Sequence, residues 1–265
     1  MLETVSKISY FFQFSEQRQL CFEKHISEFC PSSKSKKLRD PSRTRWVERI
    51  KDIDVLIELF EPLWSTLDEM RLNISKSHNN KTQSDAFSFF KAIDNFSFIV
   101  NLVLTYRILE LSLLVTQLLQ SKTNDIADGV HMITSLINRV GAIRQNIEVY
   151  HEQWYMEAMA IAKRLNIKET KPRTNKRQIY RDNHNAKDIS TFYRVSLTIP
   201  LLDTLSEELK SRFSQNSLVA YAGLNLLPSK VVQIENSSSK KPLKDLCKSF
   251  FAFYFEDMPY LPSSC

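Results

Sequence analysis

The sequence predicts an all-α fold of about five long amphipathic helices, and two observations carry that prediction. Only three glycines occur among 265 residues, and tight β-hairpins and nucleotide-binding loops need glycine where the backbone φ angle is positive. Apolar residues also recur at steps of three and four through several long stretches, which is the spacing of one helix face. The one candidate strand is the short apolar run at 231–234.

The first third of the chain is expected to hold short helices followed by one long one. Aromatic and aliphatic residues cluster in residues 1–30, and a polar Ser/Lys linker follows at 31–39. Asp40 suits a helix N-cap because a proline follows it directly. An apolar stripe then runs from residue 47 to 67, and Pro62 predicts a kink because proline has no backbone N–H.

Residues 84–120 are apolar on nearly every side and are predicted to form the central buried helix or helix pair. They are not predicted to span a membrane, because Asn101, Arg107 and Glu110 interrupt the run and charge is costly inside a bilayer. The helical pattern returns at 125–165 and again at 188–213, where a proline at position 200 predicts a second kink.

Composition along the chain suggests three regions. Residues 1–39 are expected to be a short helical segment with a basic linker, and residues 40–213 a helical domain. Residues 214–265 have a weaker pattern and read as a poorly defined C-terminal segment, in which residues 250–260 are strongly aromatic. That aromatic segment is the candidate surface for a partner protein or a second copy of the chain.

Positive charge is concentrated in two segments of a chain whose net charge is +6. Residues 32–51 carry eight Lys and Arg against two acidic residues, and residues 163–187 carry nine against two. Such segments on an otherwise acidic body favour a polyanionic partner, with nucleic acid the first candidate. Two solvated loops without a partner remain the alternative.

The sequence shows no constellation typical of an enzyme or a metal centre. Its acidic residues are spread along helix faces, and no histidine or serine stands in a recognisable catalytic motif. Cys21, His25 and Cys30 lie near one another, but a zinc site needs a fourth ligand and closer pairs, so ordinary packing is expected. No catalytic residue, metal or cofactor is predicted. Because no signal peptide is recognisable, the expected location is intracellular with free thiols.

Five short motifs, in order, resemble the hAT superfamily of transposases and their domesticated relatives, such as the zinc-finger MYM-type proteins. They are TRWVER at 44–49, TQLLQ with a following NDI at 116–126, the PR…R…R pattern at 172–181, YRVSLTIPLLD…ELKSRF at 193–213 and FYFEDMP at 253–259. Their order along the chain makes the resemblance more specific than any single motif does.

The resemblance implies a defined place in a larger protein. In that family three carboxylates of an RNase H-like core hold metal ions for DNA strand transfer, and a helical insertion interrupts the core. The resembling region is the insertion, so two of the acids are expected upstream, the third downstream, and the zinc-finger DNA-binding module elsewhere. We therefore expect a catalytically inactive fragment or domesticated relic of an hAT transposase, without a complete RNase H-like core and with a nuclear location.

The expected DNA contacts lie in the two basic segments. Arginine side chains suit phosphates, and the resemblance implies that the tryptophan of the TRW motif stacks on a displaced base. That tryptophan also stands one residue before the apolar stripe, so packing at the helix–core junction is the competing interpretation. The competing function is a helical protein–protein interaction or dimerisation module without a nucleic-acid role. The candidate DNA-binding residues are Arg43, Arg45, Trp46, Arg49, Arg173, Lys176, Arg177 and Arg181.

Overall fold

The structure is a computed structural model that describes residues 1–40, 46–73, 77–120, 126–172, 188–214 and 247–248. Every regular element in this part of the chain is helical, which confirms the all-α prediction. The candidate strand at 231–234 and the aromatic residues 250–260 lie outside the described residues.

The predicted long helical segments are divided into shorter helices. In chain order these are α1 (Leu2–Gln13), α2 (Glu16–Phe29), α3 (Trp46–Glu58), α4 (Phe60–Leu72), α5 (Asn80–Ile93), α6 (Phe96–Glu110), α7 (Leu113–Gln120), α8 (Ile126–Gln145), α9 (Ile147–Arg164), α10 (Ile189–Tyr193) and, after a π-helical turn at Arg194–Thr198, α11 (Ile199–Arg212).

The chain forms two compact units. The first comprises residues 1–113 and 146–201, and the second comprises residues 114–145 and 202–265. Most of residues 214–265 lie outside the described part, so the division at residues 39 and 213 stays a prediction.

Aromatic side chains form much of the core of the first unit. Phe12 and Phe22 stack with ring centroids 4.9 Å apart and join α1 to α2. Phe96 makes edge contacts with Tyr155 at 5.7 Å and with Tyr193 at 5.8 Å, joining α6, α9 and α10. Burial of such rings removes a large apolar area from water and so holds the α1–α2 pair and the later helices in place.

In the second unit, an apolar face of α8 is buried, and Val140 and Ile143 are among its members. Arg144 at the end of the helix makes two hydrogen bonds to the Asp203 carboxylate of α11, at 2.7 and 3.3 Å. A two-point contact between these groups fixes orientation as well as distance. It therefore ties α11 to the end of α8.

Pro62 produces a break between α3 and α4 rather than a kink in one helix. The two helices are separated at Leu59, whose N–H still donates to the Val55 carbonyl at 2.9 Å. Pro62 has no N–H to give to the carbonyl of Glu58, one turn earlier. The Cys30 thiol contacts that carbonyl oxygen at 3.6 Å and supplies a replacement donor.

Asn95 divides the apolar stretch at 84–120. Its side-chain oxygen accepts the N–H of Phe98 at 2.8 Å, and its amide donates to the Ala92 carbonyl at 2.7 Å. The residue thus caps the start of α6 and satisfies a carbonyl at the end of α5. No single helix in the described ranges has the length and apolarity to cross a membrane; α5 and α6 meet that test only as a pair bent by 68°.

The second predicted kink, at Pro200, is accommodated by the π-helical turn. The N–H of Ile199 donates to the carbonyl of Arg194, five residues earlier. Pro200 has no N–H to donate to the preceding turn, and the wider π-helical turn accommodates this missing hydrogen bond. The helical pattern predicted for 188–213 is therefore correct, with a local change of helix type at the proline.

Candidate nucleic-acid interface

Side chains of α1 and α2 bond to the backbone of the first basic segment and hold it in place. The Gln19 side chain donates to the carbonyl of Lys36 at 2.9 Å, and the Gln13 side chain approaches the carbonyl of Leu38 at 3.5 Å. Leu38 is 4% exposed and forms part of the core. The polar linker predicted at 31–39 is thus irregular in structure but held at several points.

Asp40 follows the polar linker and is bound to α1. Its two carboxylate oxygens accept hydrogen bonds from Ser6 at 2.7 Å and from Tyr10 at 2.6 Å. The helix that Asp40 was expected to cap is described only from Trp46, and residues 41–45 lie outside the described part. In the structure the Asp40 carboxylate therefore anchors the linker to α1.

Anchoring leaves the cations of the segment in solvent. Burial of Ser33 and Leu38 turns the side chains between and beside them outward. We call the four exposed cations the basic ridge: Lys34, Lys36, Lys37 and Arg39. In the described part of the chain none of the four forms a salt bridge, and they line a shallow groove of about 540 Å³ with Gln13.

The second basic segment begins beside the first. Arg164, at the end of α9, forms a salt bridge with Glu61 of α4 at 3.4 Å. Burial raises the pKa of the Cys30 thiol, Glu58 and Glu61 raise it further, and Arg164 opposes the rise. Because Cys30 stands two residues before the first basic segment, these interactions bring the starts of both segments to one region of the first unit.

The start of the second segment is anchored as well. Tyr155 of α9 donates a hydrogen bond to the Glu169 carboxylate, and Tyr193 of α10 donates to the carbonyl of Thr170 at 3.0 Å. Burial is the main reason that the pKa of Tyr155 is raised, and the bond to Glu169 adds to it. Tyr193 therefore holds the backbone at Thr170 and Tyr155 holds the side chain of Glu169, while Lys168 is exposed.

Of the predicted DNA-binding residues, the structure describes the side chain of Arg49 alone. Arg49 is half-buried on α3 and has an interaction partner. Trp46 is the first residue of α3. The remaining candidates lie outside the described residues: Arg43, Arg45, Arg173, Lys176, Arg177 and Arg181.

The site prediction omitted the basic ridge. Its residues were counted in the charge of residues 32–51 but not named as binding residues, because a linker gave no reason to expect fixed positions. The available signal was the cluster of four cations within six residues, from Lys34 to Arg39. The amides of Gln13 and Gln19 that hold the segment carry no comparable signal in the sequence.

A buried histidine lies at the π-helical turn. One ring nitrogen of His151, Nε2, is 3.0 Å from the carbonyl of Ser190, and Nδ1 is 2.8 Å from the hydroxyl of Thr198. A carbonyl only accepts, so Nε2 carries the hydrogen and Nδ1 accepts from Thr198. Burial lowers the pKa of His151. This neutral imidazole joins α9 to the π-helical turn and has no catalytic partner among the described residues.

These features define a helical module in which the basic ridge and the start of the second basic segment are anchored to neighbouring helices. The chain is 28% identical over 250 residues to the human 52 kDa repressor of the inhibitor of the protein kinase, and 27% identical over 251 residues to the mouse protein of that name. Each match covers 94% of this chain and 33% of the relative, so the chain spans about a third of the relatives' length. No family model and no solved structure matches.

Proposed function

We propose that the chain is a catalytically inactive helical module derived from an hAT transposase, and that it binds DNA without sequence preference through its two basic segments. Similarity to the repressor over most of the chain supports the common origin, together with the five ordered motifs. The proposed place of action is the nucleus, in agreement with a relative that is named a repressor.

The basic ridge is the observation that carries the DNA-binding part of the proposal. Lys and Arg side chains that meet phosphates release condensed counterions, which favours binding to any sequence. The ridge backbone is already fixed by Gln13, Gln19 and Asp40. Less backbone entropy is therefore lost on binding than if the segment were free.

Charge-matched variants test this proposal. In the first, the four ridge cations are replaced by glutamine; in the second, four exposed lysines outside the two basic segments are replaced: Lys7, Lys81, Lys91 and Lys210. Both variants lose the same net charge. Fluorescence anisotropy with labelled duplexes of unrelated sequence measures the affinity of the full chain.

We expect the full chain to bind all duplexes alike and the ridge variant to lose at least about tenfold in affinity, with a much smaller loss in the control. Equal losses in the two variants would show that net charge alone attracts the DNA, and would contradict a defined interface. Absence of DNA binding by the unmodified chain at about 50 mM salt would also refute the proposal.

Trp46→Ala separates the two interpretations of the TRW motif. If the indole stacks on an unpaired base, affinity for single-stranded DNA falls by about 1–3 kcal/mol while the melting temperature is kept. Lower thermal stability with unchanged single-strand affinity would instead show that Trp46 packs at the start of α3.

Exposed aromatic side chains favour the second candidate function, a protein-interaction or dimerisation module. Phe14 is 79% exposed and stacks on Tyr10 at the end of α1, with ring centroids 5.9 Å apart. Light scattering across a range of protein concentrations tests it. A dimer that Phe14→Ser dissociates, in a chain without DNA affinity, would favour this function over DNA binding.

A further inference from the structure

Three potential metal ligands meet between α2 and α4. Cys21 and His25 stand one turn apart on α2, so their side chains share a face of that helix. Glu69 approaches them from α4. The Cys21 sulfur, a ring nitrogen of His25 and a carboxylate oxygen of Glu69 all lie within 4.8 Å of one another.

The histidine is oriented as a ligand would be. Its Nδ1 lies 3.0 Å from the backbone carbonyl of Cys21, which only accepts hydrogen bonds, so Nδ1 carries the hydrogen. Nε2 faces the Glu69 carboxylate at 3.3 Å. A backbone carbonyl that fixes the tautomer and aims the other nitrogen is the usual outer-shell arrangement of a metal-bound histidine.

Two lone-pair atoms facing each other at this distance need a positive charge between them. Either a proton on Nε2 makes an ion pair with Glu69, or a metal ion joins the two groups. The Cys21 sulfur lies within 4.8 Å of both groups, so a metal ion would gain a third ligand that the ion pair does not use. Sulfur, imidazole and carboxylate together form a donor set that zinc accepts.

We propose that Cys21, His25 and Glu69 form a zinc-binding site with three protein ligands and a fourth position open to water. At zinc–ligand distances of about 2.0–2.3 Å, tetrahedral ligands stand about 3.3–3.8 Å apart. His25 and Glu69 already meet this spacing, and the Cys21 sulfur, within 4.8 Å of both, would have to approach by no more than about 1–1.5 Å. His25 is 7% exposed and Glu69 41%, which places the open position on the side of Glu69.

Charge and proton balance are satisfied at this site. A thiolate and a carboxylate neutralise the two positive charges of the ion. Burial and the Glu69 charge raise the pKa of the Cys21 thiol to about 11, so zinc must displace the thiol proton to solvent. Binding ties α2 to α4, directly before the segment that carries the basic ridge. The site is independent of any role in DNA binding.

Metal titration of the reduced, metal-free full chain tests the proposal. Cobalt(II) serves as the spectroscopic probe, because a thiolate ligand gives a sulfur-to-cobalt charge-transfer band and tetrahedral coordination gives intense visible bands. We expect one ion per chain, displacement of cobalt by zinc, and a higher melting temperature with zinc present.

Cys21→Ser and Glu69→Gln are the ligand variants, and Cys30→Ser and Glu28→Gln are matched controls at positions outside the cluster. Loss of an outer-shell partner typically weakens metal binding by about 10–100-fold. Removal of a direct ligand should weaken it at least as much. The controls should keep the spectrum and the affinity. Far-ultraviolet circular dichroism establishes that each variant is folded, and Glu69→Gln, at a part-exposed position, keeps the test valid if Cys21→Ser unfolds.

Three results would overturn the proposal. They are the absence of a charge-transfer band in the unmodified chain, an equal loss in the ligand variants and the controls, and a band that persists in Cys21→Ser. The first would leave His25 and Glu69 as an ion pair. The second would show that binding depends on overall charge or folding rather than on these ligands, and the third would place the metal at another cysteine.

Discussion

Replacement of Thr198 by valine should destabilise the first unit through the loss of one hydrogen bond. Thr198 is 0% exposed and His151 1%. The Ser190 carbonyl occupies Nε2 of the histidine, so the hydroxyl of Thr198 is the donor that satisfies Nδ1, at 2.8 Å. Valine has the shape of threonine without the donor.

The magnitude follows from the buried nitrogen that is left without a partner. Such a group costs about 1–3 kcal/mol, because water cannot replace the lost donor. Thr198→Ser keeps the hydroxyl and removes one methyl group, which costs about 0.8 kcal/mol in burial alone. Valine should therefore be the more destabilising change, although it preserves the packing volume.

Equilibrium urea unfolding of the full chain, followed by circular dichroism, measures the difference. Both variants should unfold at lower urea concentration than the unmodified chain, valine lowest, with the same dependence on denaturant. If packing rather than the hydrogen bond stabilises this region, the order reverses. A valine variant as stable as the unmodified chain would refute the assignment of His151 as an acceptor from Thr198.

Two further predictions concern the helix cap and the buried histidine. Asn95→Ala removes the acceptor for the Phe98 N–H and should lower the free energy of unfolding by about 1 kcal/mol, measured with urea. Ser88→Ala, at an exposed position of α5, is the control and should change the free energy of unfolding little. Equal effects of the two substitutions would contradict the cap. Because burial lowers the pKa of His151 from its ordinary 6.5, the unfolded chain binds more protons as the pH falls below that value. Stability should therefore fall as the pH drops below about 6.5, and His151→Gln, which keeps a donor and an acceptor, should flatten that part of the pH profile. Identical profiles would count against the assignment.

Helical periodicity was sufficient to predict the fold class, and proline identified two of the points where helices change. It did not show how each break is satisfied. The Cys30 thiol that meets the Glu58 carbonyl comes from the residue that follows α2, and the π-helical turn before Pro200 depends on the local geometry. Asn95 was hidden within an apolar stretch, so its role as the cap of α6 was missed.

The site shows a similar limit. The charge of residues 32–51 indicated a basic surface, but the fixation of the ridge by Gln13 and Gln19 depends on packing between helices. Cys21 and His25 were recognised as neighbours, and ordinary packing was preferred because a further ligand was lacking. Glu69 stands far along the chain, and only the contact between α2 and α4 brings it to them.

The ordered motifs predicted a resemblance to hAT transposases and their domesticated relatives, and the comparison finds similarity to the 52 kDa repressor of the inhibitor of the protein kinase over 94% of this chain. Descent from an hAT transposase, the lack of catalytic activity and the DNA contacts stay predictions. Motif order supported the resemblance because five short matches in sequence constrain more than any one of them.

The salt dependence of DNA binding tests the central claim most directly. Each phosphate contact contributes about −0.9 to the slope of log K against log salt, so removal of all four ridge cations should make the slope less steep by up to about 3.6. A slope that is clearly shallower for the ridge variant than for the charge-matched control would support phosphate contacts at the ridge. The same slope in both variants, or affinity that does not change between about 50 and 200 mM salt, would contradict it.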